Sequence, residues 1–461
     1  MFIFYAAAAL TLGAFIVAGT LIGAKTTSSA DFALGGRKSS AAGVTGILLG
    51  ALVGGASTVG TVQMAYTYGF TACWFTLGAG TACLLLGLRF AAPLRNSGLT
   101  TVADYLAKSY GGADSFCGRA VALTATISAS LGTFISICAQ FLSCIAMLRG
   151  IFPLSAAGAA LLASVSILGF IASGGLKSYS KLSEAKIVLL YLVLIACFTA
   201  AVIKGGTFTK VAGTLSFHPW LNPFSQGFIP ELGYFSAMVA GVFTTQIYIQ
   251  SFLSAKDAAT AKKGAFASAI LMPPMGLLGI WIGLSVRARG IEMEPAKVLS
   301  WFIMDSFPPL PAGIIWGGIL ITVIGCAAGL VLGIATNIVK NLMPAGVMER
   351  FSGRETWVQR GLVVIIVIAA AAAGVCGSGA MILEWSYMSM GLRGAGTLIP
   401  FIFAVLRPQT ISPKCALVSS VGGLIGMLLW SFSDLPGEPL FAGLAVSALC
   451  VAAGVFLRGK R

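Results

Sequence analysis

The stretch LLGALVGGASTVGTVQMAYTYG, residues 48–69, is long and apolar enough to cross a bilayer, yet its centre is a poor helix. Gly54 and Gly55 are adjacent, and a glycine inside a helix costs about 1 kcal/mol relative to alanine. Ser57 and Thr58 follow, and their hydroxyls compete for backbone hydrogen bonds. Unwound backbone is tolerated in a membrane where protein buries it or where it lines a watery cavity. The stretch therefore predicts a broken transmembrane helix whose free carbonyls and hydroxyls hold an ion and a solute.

The same small residues allow a second interpretation. Small residues spaced along a membrane helix let a neighbouring backbone approach closely, so residues 54–58 also suit a tight packing face. From this stretch alone, both interpretations stay open.

Composition places the chain in a membrane. Hydrophobic residues make up 57% of its 461 residues and charged residues 9%, whereas soluble domains carry about 25% charged residues. The net charge of +15 does not indicate a nucleic-acid partner, because the basic residues lie at the ends of apolar spans. The expected partners are the lipid bilayer and a small-molecule solute, and we expect the protein to function as a monomer.

Hydropathy predicts an all-α polytopic membrane protein of about thirteen transmembrane helices. In the loops and at the ends of the spans, twenty-two Lys and Arg residues fall on one side of the membrane and six on the other. Because basic loops stay in the cytoplasm, this bias predicts an integral plasma (inner) membrane protein with its N-terminus outside and its C-terminus in the cytoplasm. The predicted spans are 2–23, 41–68, 70–93, 118–147, 153–173, 185–203, 233–253, 265–287, 311–340, 360–376, 380–405, 413–432 and 438–457.

A weak internal symmetry divides the chain, which we expect to form one transporter domain over residues 1–461. The broken span at 41–68 opens a first block of five helices, about 41–203. The span at 233–253 opens a second block, about 233–405, inserted with opposite orientation. Inverted repeats with discontinuous helices are the plan of many secondary transporters. The spans 2–23, 413–432 and 438–457 are then peripheral.

Several segments together resemble the sodium/solute symporter family, which includes proline and pantothenate permeases and sodium-coupled sugar and sialic acid carriers. Within the broken span, Gly60, Ala65, Tyr66 and Gly69 match that family's positions. The resemblance implies a LeuT-like five-plus-five inverted repeat and sodium-driven uptake by alternating access. The other matching segments are ALGGR (33–37), GLTTVADYLAKSYG (98–111), GGLKSYSKLSEAK (174–186), QIYIQSFLSAKDAATAKKG (246–264) and GLRGAGTLIP (391–400).

The resemblance also implies a sodium site between the broken helix and the span at 311–340. Its matching ligands are the carbonyls of Gly50 and Val53, with Gly318 and Thr322 on the later span. Oxygen ligands suit a hard cation. Ile321 stands where the family usually has serine, and Ser183 where it usually has aspartate. These departures put a second sodium site in doubt and leave proton coupling or uncoupled transport as alternatives.

Polar side chains within the spans are the candidate solute contacts, because such groups are costly in hydrocarbon and should face the bundle interior. Hydrogen bonding between helices is the alternative explanation for each. Arg393 is a separate candidate: it could clamp a carboxylate, extend to the cytoplasmic surface, or pair with a backbone carbonyl. Lys177, Lys181 and Lys186 are interpreted as a basic patch on the cytoplasmic face. The candidate contacts are Ser57, Thr58, Gln63, Ser136, Gln140, Thr244, Thr245, Gln246 and Gln250.

These features favour a secondary active transporter, sodium-coupled, that moves a small organic solute into the cytoplasm. A membrane-embedded enzyme would need acid, base or metal ligands at membrane depth. The chain has one histidine, His218, outside the spans, and no catalytic motif, so we do not expect an enzyme. A channel is less favoured because no filter sequence or ring of charge appears.

Overall fold

The long apolar runs fold into helices, since backbone groups in hydrocarbon must be bonded within their own segment. The computed structural model describes residues 1–23, 37–112, 114–172, 176–343, 355–433 and 435–459. The glycine pairs at 35–36 and 174–175, which contribute to the family resemblance, lie outside these residues.

The part of the chain before residue 206 contains the first predicted break. The break separates α2 from α3, and a π-helical turn at Ala56–Gly60 leads into α3. The helices here are α1 (Phe2–Gly23), α2 (Ala41–Leu52), α3 (Thr61–Tyr68), α4 (Cys73–Leu85), α5 (Ala91–Asn96), α6 (Val102–Ser109), α7 (Phe116–Arg149), α8 (Ala156–Ala172) and α9 (Leu176–Gly205).

The later part of the chain contains two more interrupted spans. One bends by 49° between α11 and α12, and the other by 53° between α17 and α18. The helices here are α10 (Phe208–Thr214), α11 (Phe228–Thr244), α12 (Gln246–Leu253), α13 (Ala258–Ala288), α14 (Val298–Ser306), α15 (Pro309–Asn337), α16 (Glu355–Cys376), α17 (Ile382–Ala395), α18 (Leu398–Leu406), α19 (Pro413–Ser431) and α20 (Pro439–Gly459).

The prediction of an all-helical membrane protein with discontinuous helices is confirmed. Among the described residues, eight helices are long and apolar enough to cross a membrane, or ten when each bent pair is one span. The helices Phe2–Phe15, Ala41–Leu52 and Ala156–Ile171 are apolar but shorter. The count of thirteen spans therefore stays a prediction.

Helices α7 and α15 form the centre of the bundle. In the most apolar windows of these helices, 83% and 94% of the residues are buried, against 22% in α20. The α2 helix is buried from Gly43 to Leu52 and packs against α9, α13 and α15. The broken span is therefore held in the middle of the protein, away from lipid.

Helix α9 begins nine residues before the predicted span at 185–203. The polar segment SKLSEAK continues the helix ahead of its apolar run. Lys186 lies within the predicted span, and the structure buries it inside the bundle.

Short elements lie between the longer helices at the end of the bundle that the sequence predicts to face outside, which we call the outer end. The predicted loop at 204–232 contains α10, and the predicted loop at 288–310 contains α14. His218 is exposed in the first of these loops.

Candidate functional site

At the first break, the free backbone groups are hydrogen-bonded by side chains of the break itself and of α7. The Ser57 hydroxyl is 3.1 Å from both the amide nitrogen and the carbonyl oxygen of Gly54. The Thr58 hydroxyl donates to the same carbonyl at 2.7 Å. From α7, the Gln140 Oε1 atom accepts a hydrogen bond from the Gly55 amide at 2.7 Å. These predicted solute contacts therefore satisfy the unwound backbone in this conformation, as buried polar groups require.

Glycine at 54 and 55 also allows close packing. A Cβ atom at Gly54 would lie 2.5 Å from the Cβ of Cys326 on α15. One at Gly55 would lie 2.0 Å from the Oγ of Ser143 on α7. Both interpretations of this stretch therefore describe the structure: the helix is broken, and its small residues let two neighbouring helices approach it.

Three of the four residues predicted to bind sodium direct a carbonyl oxygen at one point, but that point holds the ammonium group of a lysine. The Lys186 Nζ atom donates to the carbonyl oxygens of Gly50 at 2.6 Å, Val53 at 3.2 Å and Thr322 at 3.4 Å. The Thr322 hydroxyl donates instead to the carbonyl of Gly318 at 2.8 Å. We call the carbonyls of residues 50, 53 and 322 the carbonyl cage. The broken helix thus offers oxygens to a cation, and the cation present is a lysine of α9.

The interpretation of Lys186 as part of a solvated cytoplasmic patch is wrong. Its exposed fraction is 2%, whereas the Lys181 side chain is 63% exposed. Glu184 pairs with Lys181 at 3.4 Å and forms no ion pair with Lys186. Ser183 and Ile321, where the sequence departs from the family pattern, are both buried. An ionisable residue just inside an apolar span was the signal that sequence reasoning passed over.

The second break brings Thr245 to the guanidinium of Arg393. Arg393 on α17 is fully buried, so its expected alternative of extending to the cytoplasmic surface is wrong. Its Nη1 donates to the Thr245 hydroxyl at 2.8 Å, and its Nη2 donates to the Ser389 hydroxyl at 2.9 Å. Nη2 also lies 3.4 Å from the Gly132 carbonyl on α7, so the pairing with a backbone carbonyl that the sequence allowed is present. A cationic group thus stands where α11 ends and α12 begins.

Two side chains missed by the sequence reasoning connect the two breaks. The Tyr248 hydroxyl and the Cys326 thiol both donate to the carbonyl of Ala51, at 3.4 and 3.0 Å. Ala51 lies between the cage residues Gly50 and Val53 on the sequence. The unpaired carbonyls at the end of α2 are therefore shared among α9, α12 and α15. Tyrosine and cysteine within apolar runs gave no signal of this role.

The remaining predicted contacts lie at different places. Gln63 joins α3 to the start of α17, donating to the Ala380 carbonyl at 3.2 Å and accepting from the Ile382 amide at 3.1 Å. Gln246 accepts from the Val102 amide and donates to the Thr100 carbonyl, both at 3.1 Å. The Thr244 hydroxyl bonds back to its own helix at Ala240. Ser136 on α7 and Gln250 on α12 are buried.

An outer cavity of about 360 Å³ lies above α3, lined in part by Tyr66, Trp220, Arg287 and Glu292. The Arg287 guanidinium lies 4.6 Å from the centre of the Trp220 ring and 5.6 Å from that of Tyr66. The Tyr66 hydroxyl donates to the Ile291 carbonyl at 2.7 Å. These contacts tie α3 to the outer loops.

Backbone hydrogen bonds join distant segments beyond the other end of α2. Ser39 donates to the Ser254 carbonyl at 3.0 Å and accepts from the Lys256 amide at 3.1 Å. Contacts therefore tie both ends of the broken span to distant segments of the chain.

Solved structures share this fold. The chain aligns with a Na⁺-coupled sialic acid symporter, solved in a substrate-bound outward-open state, at a TM-score of 0.75 and 16% identity, covering 100% of this chain and 98% of that one. It aligns with a nucleobase-cation-symport-1 family transporter, solved closed with bromovinylhydantoin bound, at a TM-score of 0.64 and 11% identity, covering 94% and 96%. The LeuT-like fold predicted from the sequence is confirmed.

Two curated relatives match in sequence. The sodium-coupled monocarboxylate transporter 2 of Bos taurus is 23% identical over 442 residues, 87% of this chain and 67% of the relative. The uncharacterized symporter YwcA of Bacillus subtilis (strain 168) is 27% identical over 260 residues, 53% of this chain and 49% of the relative. The chain thus spans about two thirds of the first relative and half of the second.

The model of the sodium:solute symporter family matches residues 32–423, which include both breaks, the carbonyl cage and Arg393. The chain belongs to the sodium:solute symporter family.

Proposed function

We propose that the chain carries a small organic anion into the cell by alternating access, and that Arg393 binds the anionic group. The observation that carries this proposal is a fully buried guanidinium beside the second break. No ion pair joins Arg393 to a carboxylate among the described residues, and its Nε–H has no hydrogen-bond partner there. Burying an unpaired charge is costly, and a ligand carboxylate removes that cost through paired hydrogen bonds to arginine.

Positive charge in the protein centre supports an anionic solute over a cationic one. Lys186 is a second buried cationic side chain, and no ion pair joins it to a carboxylate among the described residues. A cationic solute would be repelled from this region in a low-dielectric interior. The names of two similar proteins, a monocarboxylate transporter and a sialic acid symporter, agree with an acidic solute.

The geometry also supports the proposed contacts and repeats. Thr245 lies against Arg393 and so is the predicted contact nearest to the proposed anion site. Two blocks, about 41–203 and 233–405, each open on a broken span, which supports the five-plus-five arrangement with 2–23, 413–432 and 438–457 outside it. We propose that the other predicted contacts join the solute when the break opens, namely Ser57, Thr58, Gln63, Ser136, Gln140, Thr244, Gln246 and Gln250.

Sodium is the coupling ion that family membership supports. The Lys186 contacts favour a second candidate, a carrier whose solute uptake does not draw on the sodium gradient, because an ammonium already stands at the predicted sodium ligands. In both candidates the protein performs transport rather than catalysis.

The proposed setting is the cytoplasmic membrane, with the N-terminus outside and the protein working as a monomer. Without Lys186, twenty-one basic residues remain on the proposed cytoplasmic side against six outside. This bias still supports the orientation.

Uptake into proteoliposomes tests the proposal. Radiolabelled monocarboxylates, an acidic sugar and uncharged analogues of each are compared with an inward sodium gradient and with choline in its place. We expect accumulation of an anion and not of its uncharged analogue, with loss in Arg393→Gln and partial retention in Arg393→Lys. Uptake of uncharged solutes that survives Arg393→Gln would contradict the anion proposal. Comparing uptake in sodium with uptake in choline distinguishes sodium-coupled transport from transport that does not use the sodium gradient.

A further inference from the structure

We propose that the ammonium of Lys186 is the resident cation of the carbonyl cage, and that sodium does not bind there. This inference goes beyond the proposed function and does not depend on which solute is carried. It concerns one site, formed by the end of α2, the start of α9 and the middle of α15.

The geometry of the cage matches an ammonium group. A lysine ammonium has three N–H donors and no acceptor. Lys186 has three acceptors within 3.4 Å, the carbonyls of Gly50, Val53 and Thr322. Two of these carbonyls come from the carboxyl-terminal end of α2, where the last carbonyls of a helix lack partners and the helix dipole is negative. The break exposes these oxygens, and α9 provides their donor.

The cage leaves no place for a second cation. A sodium ion bound to the same oxygens would lie within hydrogen-bonding distance of the lysine nitrogen, and like charges repel strongly at that separation in a protein interior. No acidic side chain among the described residues forms an ion pair with Lys186, and Glu184 is paired with Lys181. Ile321, next to Thr322, is fully buried and contributes no side-chain oxygen.

The neighbouring helix is shaped to admit the lysine stem. A Cβ atom at Gly325 would lie 3.2 Å from Lys186 Cδ and 3.5 Å from its Nζ. The same point is 3.5 Å from the Phe170 ring, so the stem runs between an aromatic side chain and a glycine. The methylene groups thus have apolar surroundings while the ammonium reaches the carbonyls, as long cationic side chains prefer.

A covalently attached cation has a physical consequence. The lysine side chain that holds α2 against α15 cannot dissociate into either solution as a free ion does, so the strength of this contact does not depend on the sodium concentration. If a sodium gradient drives uptake, the ion must act at oxygens other than this cage.

Sodium binding without solute tests the inference. The full-length protein is purified in detergent, and ²²Na⁺ binding and melting temperature are measured in sodium chloride and in N-methylglucamine chloride. Removal of the Thr322 hydroxyl in Thr322→Val should leave the sodium response of the otherwise wild-type protein unchanged. In Lys186→Ala the cage becomes vacant, and we expect a gain of sodium binding with a rise in melting temperature of about 2–4 °C.

The matched control is Lys186→Met, which removes the charge but keeps an unbranched side chain in the same space, so no sodium binding should appear. The double variant Lys186→Ala with Thr322→Val keeps all three cage carbonyls, so the gained binding should persist in it. A loss of sodium affinity in Thr322→Val alone would overturn the inference, and so would a folded Lys186→Ala that gains none. Because no solute is present, failure of the anion proposal leaves this result unaffected.

Discussion

The side chain of Lys186 crosses α15 at Gly325, where a Cβ atom would stand 3.2 Å from its Cδ. That separation is tighter than ordinary van der Waals contact, so a methyl group there would displace the lysine from the Gly50 carbonyl. We expect Gly325→Ala to destabilise the protein when Lys186 is present and to cost little in Lys186→Ala. The coupling energy of this double-mutant cycle, from thermal unfolding, should be about 1 kcal/mol.

Gly318→Ala is the matched control on the same helix. Its Cβ would meet the flexible Leu189 side chain at 3.3 Å, a similar separation without a charged group. Its cost should be the same with and without Lys186. Equal costs for Gly325→Ala in both backgrounds would show that the lysine stem does not occupy the position described.

Gly55 should be intolerant of any side chain. The Cβ of an alanine would overlap Ser143, at 2.0 Å from its Oγ and 2.2 Å from its Cβ. We expect Gly55→Ala to lower the free energy of unfolding by about 1–3 kcal/mol, as overpacking does. Gly361→Ala on α16, where no atom lies within 4 Å, should have little effect. Adding Ser143→Gly should restore stability to Gly55→Ala, and failure of that rescue would argue against direct overlap.

The first break was predictable because its cause is local. Two adjacent glycines followed by Ser57 and Thr58 are unfavourable in a helix whatever surrounds them, and the helix does end at Leu52. The second break has no such signal, because Thr244, Thr245 and Gln246 include neither glycine nor proline. Only the expected symmetry with the first block pointed to it.

As an ionisable residue inside an apolar span, Lys186 carried a signal of a functional role, but its partners were not predictable from the sequence. Hydropathy treats a lysine at the edge of an apolar run as a residue exposed to water. Its true environment depends on carbonyls at positions 50, 53 and 322, which are brought together only by packing of three helices. The resemblance identified those oxygens, but it implied a free ion between them. Which cation binds these carbonyls therefore depends on how the three helices pack.

The Tyr66 hydroxyl should hold the loop at residues 291–293 in place. Its hydroxyl donates to the Ile291 carbonyl and accepts from the Met293 amide at 3.2 Å. In Tyr66→Phe both loop groups lose this partner, so we expect faster hydrogen exchange at the Met293 amide, measured by mass spectrometry. Tyr68→Phe, two residues further along α3, is the control and should leave exchange at residues 291–293 unchanged. Unchanged exchange in Tyr66→Phe would mean that other contacts hold the loop.

Asp305 gives the outer loops a dependence on pH. Its carboxylate lies 3.0 Å from both Lys204 and Arg289. Burial raises the pKa of Asp305, but hydrogen bonds and charge from these two partners outweigh burial, so its pKa lies below the ordinary value. A lowered carboxyl pKa stabilises the fold above the unfolded pKa of about 3.9, and this stabilisation is lost as pH falls through the folded pKa.

We therefore expect Asp305→Asn to lower the melting temperature at neutral pH, with the difference from wild type shrinking below about pH 4. The effect should also weaken at high salt, because the group is partly exposed. The control is a variant without the carboxylate of Glu292, which lines the outer cavity. It shows the effect of removing an acidic side chain that is not Asp305. A melting-temperature difference for Asp305→Asn that stays constant from pH 7 to 3 would contradict the assigned pKa direction.

The orientation of Arg393 should set the affinity for an anionic solute. Ser389 accepts from Arg393 Nη2 at 2.9 Å and donates to the Gly132 carbonyl at 2.6 Å, so it fixes the guanidinium against α7. Hydrogen bonds to charged groups contribute about 1.5–3 kcal/mol, so its loss in Ser389→Ala should weaken solute binding at least about tenfold. Ser386→Ala removes a hydroxyl that bonds only within its own helix, to Ile382, and should bind as wild type does. Binding is measured by solute-dependent thermal stabilisation. Equal affinities in the two variants would show that Arg393 does not need this contact to meet the solute, and the anion would then have to be held by other groups.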